Sequence, residues 1–129
     1  MRALDARERE LYAAGAGHYA AICAACHQPS GLGAPGKAPP LLDSPYVLGP
    51  SERLAALIAA GMHGPVQIGN ETWNGEMPAW KASDEELHAL LVYLRREWGH
   101  RAEPPTRDEV ERGRARAAQR GRPWTASDL

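Results

Sequence analysis

The sequence predicts a small all-α domain of three to four helices, with one short β-hairpin and a helical C-terminal extension. Three observations predict it. Apolar residues recur at steps of three and four in two long stretches, 4–23 and 83–98. The segments between them are rich in Gly and Pro and carry no such period. The chain, at 129 residues, is the length of one domain with a modest core.

In chain order, residues 4–23 read as a helix, because Leu4, Leu11, Tyr12, Gly15, Tyr19 and Ile22 fall on one face. A Gly/Pro-rich loop follows, from Gln28 to Pro40. A short helix at 51–60 turns Leu54, Leu57 and Ile58 inward and stops at Gly61. Val66–Ile68 and Glu71–Trp73, joined by Gly69-Asn70, predict a hairpin with a two-residue turn. Residues 74–82 read as a loop. Ser83 and Glu86 form a capping box ahead of the stripe Leu87, Leu90, Leu91, Leu94 and Trp98, with Gly99 as the end. Pro104-Pro105 mark a linker, 106–120 read as a further helix, and 124–129 as irregular. The division is therefore a domain at 1–103 and an extension at 104–129. So few helices joined by such loops do not supply their own core; a flat apolar cofactor in the middle accounts for the shortfall.

Charge excludes some functions. Residues 1–100 hold eight Lys/Arg against eleven Asp/Glu, and residues 101–129 hold seven Arg against five acids. There is no overall basic field of the kind nucleic acid selects, and Arg interleaved with acids reads first as a solvated helix face. No stretch approaches the ~20 apolar residues that span a bilayer. No charged-then-apolar leader opens the chain, so the expectation is a leader already removed or a module of a longer protein.

The only two cysteines are Cys23 and Cys26, with His27 directly after them. Three readings of this motif compete. A redox-active disulfide is expected between a strand and a helix, whereas a helix precedes this one. A zinc site wants four ligands, and no second pair completes it. Cys-x-x-Cys-His is also the signature of covalent haem attachment: two thiols on one helical turn form thioethers to the vinyl groups, and the histidine faces the iron. A sixth ligand would then come from three methionines and four other histidines. Met77 lies between Gly75 and Pro78 in a polar loop, a poor place for methionine to fill a core gap, so ligation is favoured there. His18, His63, His88 and His100 read as non-ligands, with His63 held in reserve.

From about residue 10 to residue 98 the sequence resembles the single-haem class I cytochromes c. Besides Cys23-Ala24-Ala25-Cys26-His27, Gly15 and Tyr19 match the family's helix-crossing residues, and Leu90, Tyr93 and Leu94 match the partner face. Pro39 and Leu41 follow His27 at the family's distance, and Gly75-Glu76-Met77-Pro78 matches its axial-methionine loop. The hairpin and the tail look like those of modules in bacterial respiratory chains and multidomain dehydrogenases, where such a tail packs back on the haem domain.

The resemblance implies a cytochrome c fold around one covalent haem c, with Cys23 and Cys26 as attachment points and His27 and Met77 on the iron. It implies that the Pro39 carbonyl accepts a hydrogen bond from His27 and that Leu41 packs on the ring. Tyr46 and Arg53 are candidates to bind the propionates, and Trp80 to shield one side of the haem. The function implied is single-electron transfer, not catalysis, between redox proteins such as a dehydrogenase, an oxidase or another cytochrome, in the periplasm or on the outer face of the cytoplasmic membrane. Two alternatives stay open: a sensor or peroxidase-like enzyme with an open sixth position, and an electron-transfer module whose Arg-rich tail docks on a larger protein.

Overall fold

A computed structural model describes residues 2–129. Helix α1 (Ala6–His18) starts at Asp5, whose carboxylate accepts from Glu8 N–H while Glu8 reaches back to the Asp5 amide. Arg2 pairs with Glu8 and holds its carboxyl down at about 2. Helix α5 (Asp84–Arg96) starts at the expected Ser83/Glu86 box and runs against α1. Gly15 makes that crossing possible: a β-carbon there would lie 2.1 Å from the Ala89 carbonyl oxygen. On either side of this contact the Tyr12 and Tyr19 rings sit 5.3 and 5.4 Å from Tyr93.

Between these helices lie α2 (Ala24–His27), α3 (Pro45–Leu48) and α4 (Ser51–Ala60). Leu54, Leu57 and Ile58 of α4 point inward as expected and join Leu87, Leu90, Leu91, Leu94, Val47 and Tyr19 in the main core. Helix α3 was not expected; Ser44 caps it and Pro45 opens it. Four residues are too short to show a period. Arg95 is buried, and its guanidinium donates to the carbonyls of Val47, Gly49 and Glu103, tying α5 to α3 and to the linker.

The hairpin is longer than expected. Strands β1 (Met62–Ile68) and β2 (Glu71–Met77) pair antiparallel from Met62↔Met77 to Ile68↔Glu71, around a turn with Gly69 at φ 61°. Residues 74–77, expected in a loop, are therefore strand. Glycine at 64 and 75 hides the alternation from a reading based on propensity. Helix α5 is shorter than expected: it ends at Arg96, and Trp98, with φ 57°, lies beyond it and packs edge-on against Tyr19 and Tyr93.

Helix α6 (Arg107–Arg120), capped by Thr106 and Glu109, lies on α4. Gly113 permits the contact, since a β-carbon would come within 2.5 Å of Ala55 Cβ. Its arginines point largely at the rest of the chain: Arg112 and Arg116 pair with Glu52, Arg114 with Asp84, and Arg107 with Glu85. The tail expected to be irregular ends in a short 3-10 turn, Ala126–Asp128. Among the described residues no helix is long and apolar enough to cross a membrane.

Candidate functional site

Helix α1 does not run straight into the cysteine motif. From Tyr19 to Cys23 the turns widen to a π-helix before α2 resumes. The extra residue rotates the helix face, which is why Ile22, expected inward, is 53% exposed. Cys23 is half-buried against the main core and Cys26 is exposed; neither is in a disulfide. Burial, and secondarily Cys26, pushes the Cys23 thiol up to about 11. A redox dithiol needs the opposite, a lowered thiol. Among the described residues no group of three His, Cys, Asp or Glu side chains converges as a metal site, so the zinc reading lacks its ligands.

His27 ends α2 and is buried. Its Nδ1–H donates to the Pro39 carbonyl at 2.9 Å. Burial lowers its proton affinity, with the Pro39 bond partly opposing, so the ring is neutral with the lone pair on Nε2. The loop that brings Pro39 back is shaped by close approaches. Gly33, at φ 69°, donates its N–H to the His27 carbonyl and lies where a β-carbon would be 2.7 Å from the Pro39 oxygen. Gly31 lies under the Trp98 ring, and its carbonyl accepts from the amides of Leu41 and Leu42. Gln28 sits at φ 67°, unusual for a residue with a side chain, and Tyr19 OH donates to its carbonyl at 2.5 Å.

The hairpin presents a second surface. Met62, Gly64 and Val66 of β1 face Met77, Gly75 and Trp73 of β2 in register, so these six share one side. The methionines are half-buried against the main core, and Val66 is buried. Nothing lies within 4 Å of where β-carbons on Gly64 and Gly75 would be. The other side, with His63, Pro65, Gln67, Thr72, Asn74 and Glu76, is exposed. Just after Met77, Trp80 is half-buried; its amide donates to the Ile58 carbonyl, and its ring lies 5.5 Å from that of His18.

Tyr46 and Arg53 are brought together, the guanidinium carbon 5.1 Å from the ring centroid. Arg53 donates through one terminal nitrogen to the Pro45 carbonyl, while its Nε is buried without a partner. Trp73 Nε1 is buried and unpartnered as well. Two orphan donors of this kind fit a group that brings carboxylates. Sequence reasoning did not single out Gly33 or Trp73. Gly33 is one glycine among several in its loop, and Trp73 needed the register of β2 to place it on the Met77 side.

The remaining histidines have other work. His100 is buried; its Nδ1–H donates to the Leu94 carbonyl and its Nε2 accepts from Asp43 N–H. His88 donates through Nε2 to the Pro105 carbonyl.

The chain matches over residues 10–94 the family described as cytochrome c oxidase, cbb3-type, subunit III. It is similar to cytochrome c-552 of Thermus thermophilus, 33% identical over 106 residues that cover 74% of this chain and 81% of that protein. It is equally similar to the cytochrome c-552 of a named strain of Thermus thermophilus, 33% identical over 106 residues covering 74% of this chain and 72% of the relative.

Proposed function

The chain belongs to the family of monohaem class I cytochromes c, haem-based electron carriers with covalent haem c, and from that premise we propose a single-electron carrier with His27 and Met77 as iron ligands. The observation that carries the reading is the bond from His27 Nδ1 to the Pro39 carbonyl. It fixes the tautomer and turns Nε2 into the donor nitrogen, directly after two thiols free to form thioethers at Cys23 and Cys26.

The haem supplies a one-electron couple, ferric to ferrous. Around it, this chain's residues set the conditions. Met77 offers a soft sulfur that favours the reduced state and raises the potential. The Pro39 carbonyl strengthens His27 as a donor and lowers it. Leu41 and Trp80, both partly buried against the main core, would pack on the ring and exclude water from it. Arg53, beside Tyr46, and Trp73 would hold the propionates through the buried nitrogens that otherwise lack partners. A pair of ligands present in both oxidation states leaves little to rearrange, which suits transfer and not catalysis.

Electrons enter and leave near Cys23, Ala24 and Ala25 through small, short-lived contacts with donor and acceptor redox proteins. The place of action is the periplasm or the outer membrane face, where haem is attached to thiols. Residues 1–103 form the haem domain and 104–129 an extension that packs on it.

The test is a visible spectrum of the holoprotein, oxidised and dithionite-reduced, with and without carbon monoxide. Sharp α and β bands on reduction, unchanged by carbon monoxide, are expected. High-spin features or a carbon monoxide shift would instead favour a sensor or peroxidase-like enzyme.

A further inference from the structure

We propose that Trp124 is a positioning residue for Met77: the C-terminal extension locks the hairpin that carries the methionine and so keeps the sixth iron position closed. The proposal rests on Met77 as ligand. A two-stranded ribbon is marginal by itself, and β1 does not stand alone. Trp124 N–H donates to the Gly61 carbonyl and His63 N–H donates to the Trp124 carbonyl, both at 2.9 Å, so Trp124 bridges Met62 in parallel. Met62 in turn pairs with Met77. One row of backbone thus runs from Trp124 through Met62 to Met77.

The row is anchored at its outer end. The Trp124 indole is buried, donates from Nε1 to the Ala56 carbonyl at 2.8 Å, and lies under the guanidinium groups of Arg116 and Arg120, 5.6 and 4.6 Å from its centroid. Arg120 also pairs with Asp128, and Arg116 with Glu52 on α4. The corner between α4 and β1 is tight as well. Gly61, at φ 81°, packs where a β-carbon would lie 2.5 Å from the Met77 carbonyl oxygen and 2.8 Å from Ala79 N. Movement of Gly61 therefore displaces the backbone of Met77. Removing the indole frees the outer end of the row and lets the methionine leave the iron more often.

A competing ligand reads that opening directly, because its apparent dissociation constant scales inversely with the open fraction. Imidazole is titrated into ferric holoprotein, following loss of the far-red band of methionine–iron ligation. Trp124→Ala is expected to bind imidazole about tenfold more tightly than wild type, within the range by which packed intermediates modulate coupling. Val110→Ala is the control: Val110 is buried on α6 in the main core and makes no bridge to β1. It should lower stability and leave imidazole affinity within about twofold. If Trp124→Ala gives too little folded holoprotein, Trp124→Phe carries the test, with about a threefold shift expected.

Unchanged affinity in the Trp124 variants, or an equal shift in Val110→Ala, overturns the positioning role. A wild-type ferric protein without the far-red band overturns Met77 ligation and the proposal with it, so the two failures are distinguishable.

Discussion

The two sides of the candidate haem site are built by different means. The His27 side is local: Tyr19, Gln28, Gly33 and Pro39 lie within twelve positions of the histidine and hold it and its loop through hydrogen bonds to backbone carbonyls. The Met77 side is remote: a ribbon exposed on one face is secured from the C-terminal extension by Trp124. The first is a rigid cradle and the second is a latch. A ligand held by its own loop resists exchange, whereas one held by a distant segment depends on how well that segment docks.

The comparison can be broken most severely at the ligands. His27→Ala should yield little or no low-spin holoprotein, because the motif loses its iron ligand and its Pro39 anchor together. Met77→Ala should retain the covalent haem and most of the fold but bind carbon monoxide in the ferrous state, as spectra will show. Equal collapse of both variants would remove the asymmetry between cradle and latch.

A smaller effect is expected at Gly33. Alanine there meets a φ of 69° and the oxygen of Pro39, so Gly33→Ala should cost about 1–3 kcal/mol in denaturant unfolding. Displacing the carbonyl also weakens His27 as a donor, so voltammetry should show a higher reduction potential; a lower one would contradict the proposed role of Pro39.

The smallest effect belongs to the latch's ion pairs. Hydrogen bonds from Arg112, then burial in opposition and further help from Arg116, leave the Glu52 carboxyl below its ordinary range; Thr125 and Arg120 do the same for Asp128. Lowered carboxyl groups contribute stability above their unfolded pKa, about 4, and lose it as pH falls through their folded values. Glu52→Gln should therefore lower the thermal midpoint slightly at pH 7, and the gap to wild type should close on acidification below about pH 4. A gap that persists undiminished at low pH would show that Glu52 acts by packing.

This same contrast governs what the sequence reveals. Much of the cradle was legible because its signals are local: a five-residue motif, Gly15 and Tyr19 at helical steps before it and, through the family resemblance, Pro39 after it; Gly33, one glycine among several, was not. The capping box at Ser83 was equally readable, being a contact between residues three apart. The latch was not. The face shared by Met62, Val66, Trp73 and Met77 is interrupted by Gly64 and Gly75, which carry no hydrophobic signal, so the hairpin read as four residues shorter on each strand. Trp124 looked like part of an irregular tail because its partners, Ala56, Gly61 and His63, lie far back in the chain on α4, β1 and the corner between them. Ile22 was misplaced for a related reason: a π turn changes the period on which the reading depends. The Arg-rich helix read as solvated and its arginines are exposed or half-exposed; what the sequence did not show is that they also pair with acids on α4 and α5 that only tertiary structure brings near.

The most direct test of the central assignment is the far-red absorption of the ferric protein, compared across wild type, Met77→Ala and Met62→Ala. The band should be present in wild type and Met62→Ala and absent in Met77→Ala. A band that survives in Met77→Ala and disappears in Met62→Ala would transfer the sixth position to its cross-strand neighbour and contradict the account.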